Sequence, residues 1–224
     1  MESVTYLPMR NFRTEGIIIK RRNFNEADRI LTVMTRDYGK LQIKAAGVRK
    51  ITSRRAAHIE LLNYTILHLY KGKTFSILTE AKMLDDFSQV KGDFEKVGLA
   101  YHLCELVDGL CPENQENSKV FFLLQKTLAE LSRRTDVSDI TSLQYTKSEI
   151  DDYTLGTFGV GVSDAPLFRT NQNGFLQNFE VSLLTELGYW NGQDSFQRRF
   201  DTHEMIEDIL ERKLKSRSIF AKLQ

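Results

Sequence analysis

The sequence predicts an α+β chain: a five-stranded β-barrel at the N-terminus followed by an α-helical domain. Three observations carry this expectation. Short strand-like runs recur across residues 12–84, with one break between the third and fourth. Beyond Met83 the apolar spacing changes to that of helices. The charge divides at the same place: residues 1–84 hold 16 Lys+Arg against 7 Asp+Glu, leaving 15 against 23 in residues 85–224. A net charge of +1 therefore hides a basic half and an acidic half. The expected division is a barrel domain over 1–84 and a helical domain over 85–224. A polyanion is the natural partner of the first.

The elements follow in order. Residues 1–11 show no usable pattern. Gly16 to Arg22 reads as a strand running from apolar into basic. After a polar connection containing Glu26 and Asp28, Arg29 to Arg36 forms the second strand. Ile30, Thr32 and Met34 share one face; Leu31, Val33 and Thr35 share the other. Asp37-Tyr38-Gly39 supplies turn chemistry. Lys40 to Ala46 alternates cleanly, with Leu41, Ile43 and Ala45 expected inside and Lys40, Gln42 and Lys44 outside. Arg49, Lys50, Arg54 and Arg55 crowd the next connection, which turns briefly helical at Ala56–His58. Strands from Leu61 to Tyr70 and from Thr74 to Glu80 flank a Lys71-Gly72-Lys73 turn. This order, with its break after the third strand, is that of an OB barrel; other small barrels share the spacing.

In the second half, Phe94 to Leu110 carries apolar residues on more than one stripe, predicting a helix buried on several sides and stopped by Pro112. Ser118 is placed to cap a helix through about Arg133. Residues 135–178 have weak patterning and are expected to be partly mobile, with Asn173-Gly174 as a hairpin turn. Phe179 to Leu187 returns to helix and ends at Gly188. Asp201 and Glu204 form a capping pair for a last helix carrying Met205, Ile206, Ile209, Leu210 and Leu214.

Several chemistries find no support. No apolar run approaches the ~20 residues of a membrane helix, and the first residues lack the order of a secretion signal. Cys104 and Cys111 are seven apart, about two helical turns, and are expected as buried thiols of a reducing cytoplasm. Without a Cys-x-x-Cys pair no thiolate zinc site can be assembled. His58, His68, His102 and His203 are scattered and make no ligand pattern. Asp85-Asp86 and Asp151-Asp152 could hold a metal in a nuclease, but neighbouring residues point apart and spacing offers no third acidic ligand. Gly156, Gly159 and Gly161 lack the Lys-Ser/Thr ending of a phosphate loop. No catalytic residue, cofactor or metal is expected. Glu26, Asp28 and Arg29 are read as fixing the connection between the first two strands.

Single-strand binding needs cations for phosphates and ring faces for bases. Arg21, Arg22, Lys40, Lys44, Arg49, Lys50, Arg54, Arg55, Lys71 and Lys73 can supply the first; Phe24, Tyr38, Tyr64 and Tyr70 are candidates for the second. The same groups would serve RNA, so an OB-type RNA-binding or ribosome-associated module stays open as the alternative.

The run Gly16-Ile17-Ile18, then Asn25-Glu26-Ala27-Asp28-Arg29-Ile30-Leu31, Thr35, Gly39, Ala46-Gly47-Val48-Arg49-Lys50 and Ser53 resembles RecO, the bacterial recombination mediator family. So do Phe179-Glu180-Val181-Ser182-Leu183-Leu184, Leu187-Gly188-Tyr189 and Leu214-Lys215-Ser216-Arg217. The resemblance implies an OB domain and a helical domain. It implies binding of single- and double-stranded DNA, strand annealing, and help in loading RecA onto strands coated with single-stranded DNA-binding protein (SSB). RecR is implied as a further partner, and the cytoplasmic nucleoid as the location. Many members carry a four-cysteine zinc lobe after the Leu-Gly-Tyr phrase. Here Trp190-Asn191-Gly192 follows instead, so no zinc is expected. Met9-Arg10 resembles the usual family start, which leaves residues 1–8 as an extension or a start-site choice. The resemblance also points to Lys213, Lys215 and Arg217, beside Ile219, Phe220 and Leu223, as a dock for the acidic, apolar SSB tail.

Overall fold

The computed structural model describes residues 10–133, 174–190 and 202–216. Five strands close a barrel in the order β1-β2-β3-β5-β4. They are β1 (Asn11–Phe24), β2 (Asp28–Thr35), β3 (Gly39–Ala45), β4 (Tyr64–Lys71) and β5 (Ser76–Asp85). A 3-10 turn, Ala57–Ile59, fills the expected break. This is the OB-type arrangement anticipated from strand order.

Closure depends on β1, which is longer than its apolar run suggests. Its first half, from Asn11, pairs with β4; its second half, from Gly16, pairs with β2. Gly16 sits where the two ladders meet, and a Cβ there would lie 2.5 Å from Val33 Cγ1. An irregularity between Ile18 and Lys20 inserts one extra residue. Three successive isoleucines are buried as a result. Ile18 joins Leu31, Val33, Leu41, Ile43, Ala45, Leu67, Leu69 and Leu78 inside the barrel. Ile17 and Ile19 face outward, where Met34 and Leu62 join them under the helices.

The helices are α1 (Ser88–Lys91), α2 (Phe94–Leu110), α3 (Ser118–Arg133), α4 (Gly174–Glu186) and α5 (Thr202–Leu210). Asp93 caps α2 by accepting from the Glu95 and Lys96 backbones at 3.0 and 3.2 Å. The α2 helix is buried on several sides, by α3, by α4 and by the barrel. Asn117, not Ser118, caps α3: its Oδ1 accepts from Val120 N at 3.1 Å, and Ser118 is already helical. Gly174 opens α4, so the hairpin expected at Asn173-Gly174 is absent. Phe175, Leu176, Phe179, Leu183 and Leu184 make one buried stripe that outweighs the local turn signal. Gly188, at φ +78°, ends the helix as expected, with Tyr189 N donating back to Leu184 O at 2.9 Å. The last helix stops at Leu210, earlier than its apolar pattern implied, yet Leu214 remains buried. The capping role given to Asp201 lies outside the described residues, as does most of 135–178. Among the described residues, no helix is long and apolar enough to cross a membrane.

One apolar cluster joins the outer face of the barrel to all the longer helices, with Phe121 and Trp190 in it. The β2–β3 turn lies at this junction. Arg36 sits over the Phe122 ring at 5.6 Å, and Gly39, at φ +65°, packs so closely that a Cβ would fall 1.7 Å from Gln115 O. The described helices therefore pack on the β2–β3 turn and on the outer face of β1. The opposite end carries the β1–β2 turn and the connection after β3.

Candidate nucleic-acid interface

This end, open among the described residues, is built by two loops stitched together. Asp28, at the start of β2, accepts from Gly47 N at 2.8 Å and pairs with Lys44 Nζ at 3.1 Å. The Gly47 N–H and then Lys44 lower its carboxyl pKa. Arg49 N donates to Ala27 O at 2.9 Å, and its guanidinium reaches Glu26 O at 2.9 Å and Asn25 O at 3.3 Å. Arg55 ties the far side of the connection to Leu78 O and Ala46 O at 2.7 and 2.8 Å. The β1–β2 turn and residues 46–55 thus form one platform against β5. Of the three residues read as fixing this connection, Asp28 does so through Gly47 and Lys44, Glu26 contributes its backbone carbonyl, and Arg29 pairs instead with Glu60 at 3.2 Å.

The ten predicted cations fall into distinct groups. Arg21 is spent on Glu60, a residue the sequence did not single out, which also takes Arg29. Lys40 does not face solvent. It is 6% exposed, and its ammonium donates to Asp108 O at the end of α2. The alternation of β3 is intact, but its outer face is covered here by Asp108 and by Glu113, which accepts from Gln42. Arg49 and Arg55 serve the loop backbone. Arg22 and Lys44 lie over Phe24, 5.9 and 5.4 Å from its ring centroid. Lys50, Arg54, Lys71 and Lys73 are exposed and make no ion pair among the described residues. Pairing of Ile43 with Ser76 and Lys44 with Ile77 brings the β4–β5 turn, with Lys71 and Lys73, beside the end of β3. In OB folds the face of the second and third strands, with the β1–β2 and β4–β5 loops, is the surface suited to oligonucleotides.

The rings divide unequally. Only Phe24 stands among the cations. Tyr38 packs edge-on against Phe12 at the helical end, 4.7 Å between centroids. Tyr64 is turned to the helices, beside Phe121, with its hydroxyl donating to Glu15; burial and that bond push its pKa up to about 12. Tyr70 accepts from Arg10.

The paired aspartates are turn formers: Asp85 and Asp86 accept from Phe87 N and Ser88 N. Asp151-Asp152 and Gly156, Gly159 and Gly161 lie outside the described residues. The histidines are not all scattered, since His102 and His203 meet at Glu180, which no sequence spacing signals. Cys104 and Cys111 are free and buried, as expected, and burial pushes their thiols up to about 12 and about 11. Neither should react with iodoacetamide in the folded protein, and both should in denaturant; labelling of the native chain would contradict this.

The C-terminal cations rest on a carboxylate clamp. Glu105 on α2 accepts from Lys215 N at 2.9 Å, Ser216 N at 2.8 Å and Arg212 at 3.0 Å. Burial pushes its pKa up, but the Lys215 and Ser216 bonds and Arg212 win and bring it from 4.5 down to about 2. Lys213 and Lys215 are exposed on this segment, flanking buried Leu214; Arg217 and the residues after it lie outside the described residues. Since the folded pKa is the lower one, the stabilisation is complete above pH 4.5 and is lost as pH falls through about 2. Glu105→Gln should cost about 2 kcal/mol at neutral pH after allowance for solvent screening, and nothing at the lowest pH. Urea titrations at neutral and acid pH check it.

Residues 9–87 match the profile of Recombination protein O N terminal, and residues 91–145 that of Recombination protein O C terminal. A protein of Roseiflexus sp. (strain RS-1) named DNA repair protein RecO is 41% identical over 136 residues, 61% of this chain and 47% of the relative. Proteins of the same name from Dehalococcoides mccartyi (strain BAV1) and Heliobacterium modesticaldum are 36% and 40% identical over 121 and 106 residues, covering 48% and 39% of their own lengths. The chain thus spans about half the length, or less, of the curated relatives it matches. With a closed five-stranded barrel, helices packed on one end of it and both halves matched in order, this chain belongs to the RecO family.

Proposed function

We propose that the chain is a non-enzymatic recombination mediator that binds single- and double-stranded DNA at the open end of its barrel, in the cytoplasm at the nucleoid. The observation that carries this reading is the platform of two stitched loops. It carries Lys50 and Arg54 on the connection stitched to the turn that holds the Arg22–Phe24–Lys44 stack, and the β4–β5 turn with Lys71 and Lys73 follows the strand pairing beside Lys44. Cations spaced in this way contact phosphates without reading sequence. The exposed edge of Phe24 offers one ring to an unstacked base. Two complementary strands on one cationic surface repel each other less, which favours annealing.

The helical half, residues 85–224, is the protein-binding part of this proposal. Lys213 and Lys215 flank Leu214 on the segment that the Glu105 clamp holds through Arg212, Lys215 N and Ser216 N, and with Arg217 they are proposed to take an acidic, apolar SSB tail. RecR would bind as the second partner, and RecA would load onto the strand so exposed. The name DNA repair protein carried by the relatives agrees with this role.

The test is annealing of two complementary fluorescent DNA strands, bare and SSB-coated, by the full chain. Faster annealing in both cases is the expected outcome. No acceleration of bare strands would overturn the mediator reading. An equal-length RNA strand that displaces DNA at far lower concentration would replace it with the RNA-binding one.

A further inference from the structure

We propose that His102, Glu180 and His203 form a binding site for a divalent transition metal, with zinc the ion their donors suit best. The three come from α2, α4 and α5. The side chains of His102 and Glu180 are each 1% exposed, and that of His203 is 33% exposed. His102 Nε2 lies 2.9 Å and His203 Nδ1 3.3 Å from the same carboxylate oxygen, Glu180 Oε1. The three ligand atoms all fall within 4.8 Å of one another. A tetrahedral zinc with bonds of about 2.0–2.1 Å needs its ligand atoms roughly 3.3 Å apart. Small side-chain shifts therefore bring these atoms around one centre.

The surrounding groups are those such a site requires. His102 can ligate through Nε2 only with its proton on Nδ1, and Nδ1 faces Ser216 Oγ at 2.7 Å, an oxygen able to accept it. Histidine ligands usually give their second N–H to a neighbour of this kind, which fixes ring and tautomer. Thr202 Oγ1 donates to Glu180 Oε2, holding the other carboxylate oxygen and leaving Oε1 toward the two imidazoles. Burial closes the site on the His102 and Glu180 side. A fourth ligand, water, would enter from the side of His203, the most exposed of the three, in the pattern of three protein ligands and one solvent. Two imidazoles and a carboxylate favour zinc over magnesium or calcium, which seek oxygen alone. A bound ion would join α2, α4 and α5 at one point. Through Ser216 it would also fix the segment that carries Lys213 and Lys215.

The site owes nothing to the cysteine lobe expected to be missing near residue 190. Its test uses the full chain, stripped with a chelator, desalted and titrated with Zn²⁺ against a chromophoric chelator and with Co²⁺ in the visible. One equivalent should bind, with tetrahedral cobalt bands and a raised Tm. His203→Gln, at the most exposed of the three positions, should weaken zinc roughly tenfold or more with an unchanged circular dichroism spectrum. His68→Gln, on β4, should leave binding intact. Failure of the folded chain to bind one equivalent would overturn the site and leave a hydrogen-bonded histidine–glutamate cluster. Equal affinity in His203→Gln would overturn it as well.

Discussion

Replacing Lys50, Arg54, Lys71 and Lys73 together with alanine is expected to weaken single-stranded DNA binding by roughly 10²- to 10³-fold at moderate salt, with little change in stability. The estimate takes about 1 kcal/mol for each exposed charge–phosphate contact. The choice of these four matters. Arg49 holds carbonyls of the β1–β2 turn, Arg55 holds those of Ala46 and Leu78, and Arg21 and Lys40 are committed to Glu60 and to Asp108. Mutating those would disturb the platform or the packing beside it, and a loss of binding would then say nothing about phosphates. The four exposed cations hold no loop together, so their removal isolates the electrostatic contribution. Fluorescence anisotropy with a labelled strand measures the affinity, and a thermal melt of the variant measures the fold. Affinity unchanged within a few-fold would mean that DNA lies elsewhere.

The largest expected effect on stability is that of Phe121→Ala, about 3–5 kcal/mol. Phe121 is fully buried, with its ring 6.0 Å from Tyr64 of β4 and 5.3 Å from Phe122. It belongs to the cluster that also holds Ile17, Ile19 and Met34 of the barrel's outer face. A cavity there removes contacts from strands and helices alike. Barrel and helices should therefore lose stability together. Denaturation followed by Trp190 fluorescence, and by amide exchange in β2, should give the same shift. A shift seen by Trp190 alone would show that the barrel stands without the helices.

Much of this architecture could be read in advance because it rests on local pattern. The alternation of Leu41, Ile43 and Ala45 fixed the inside of β3, and the break after it is filled by the Ala57–Ile59 turn. The charge divide falls where the barrel gives way to the helices. What escaped depends on contacts between distant parts of the chain. Period two correctly put Lys40 on the outer face, but only the fold reveals that Asp108 covers it. A glycine after asparagine reads locally as a turn, and the stripe from Phe175 to Leu184 decides for helix through burial that local pattern cannot weigh. Glu60 and Glu105 organise cations and backbone from positions with no distinguishing neighbours. His102, Glu180 and His203 are far apart in sequence, so their convergence follows from helix packing alone.

The most direct test of the DNA-binding surface is the slope of log K against log salt for a labelled single strand, measured for the unaltered chain and the fourfold variant. Each phosphate contact adds about 0.7 to the slope for single strands. A steep dependence that flattens by about 3 in the variant is the predicted result. An equal slope in both proteins would remove the DNA site from the open end of the barrel.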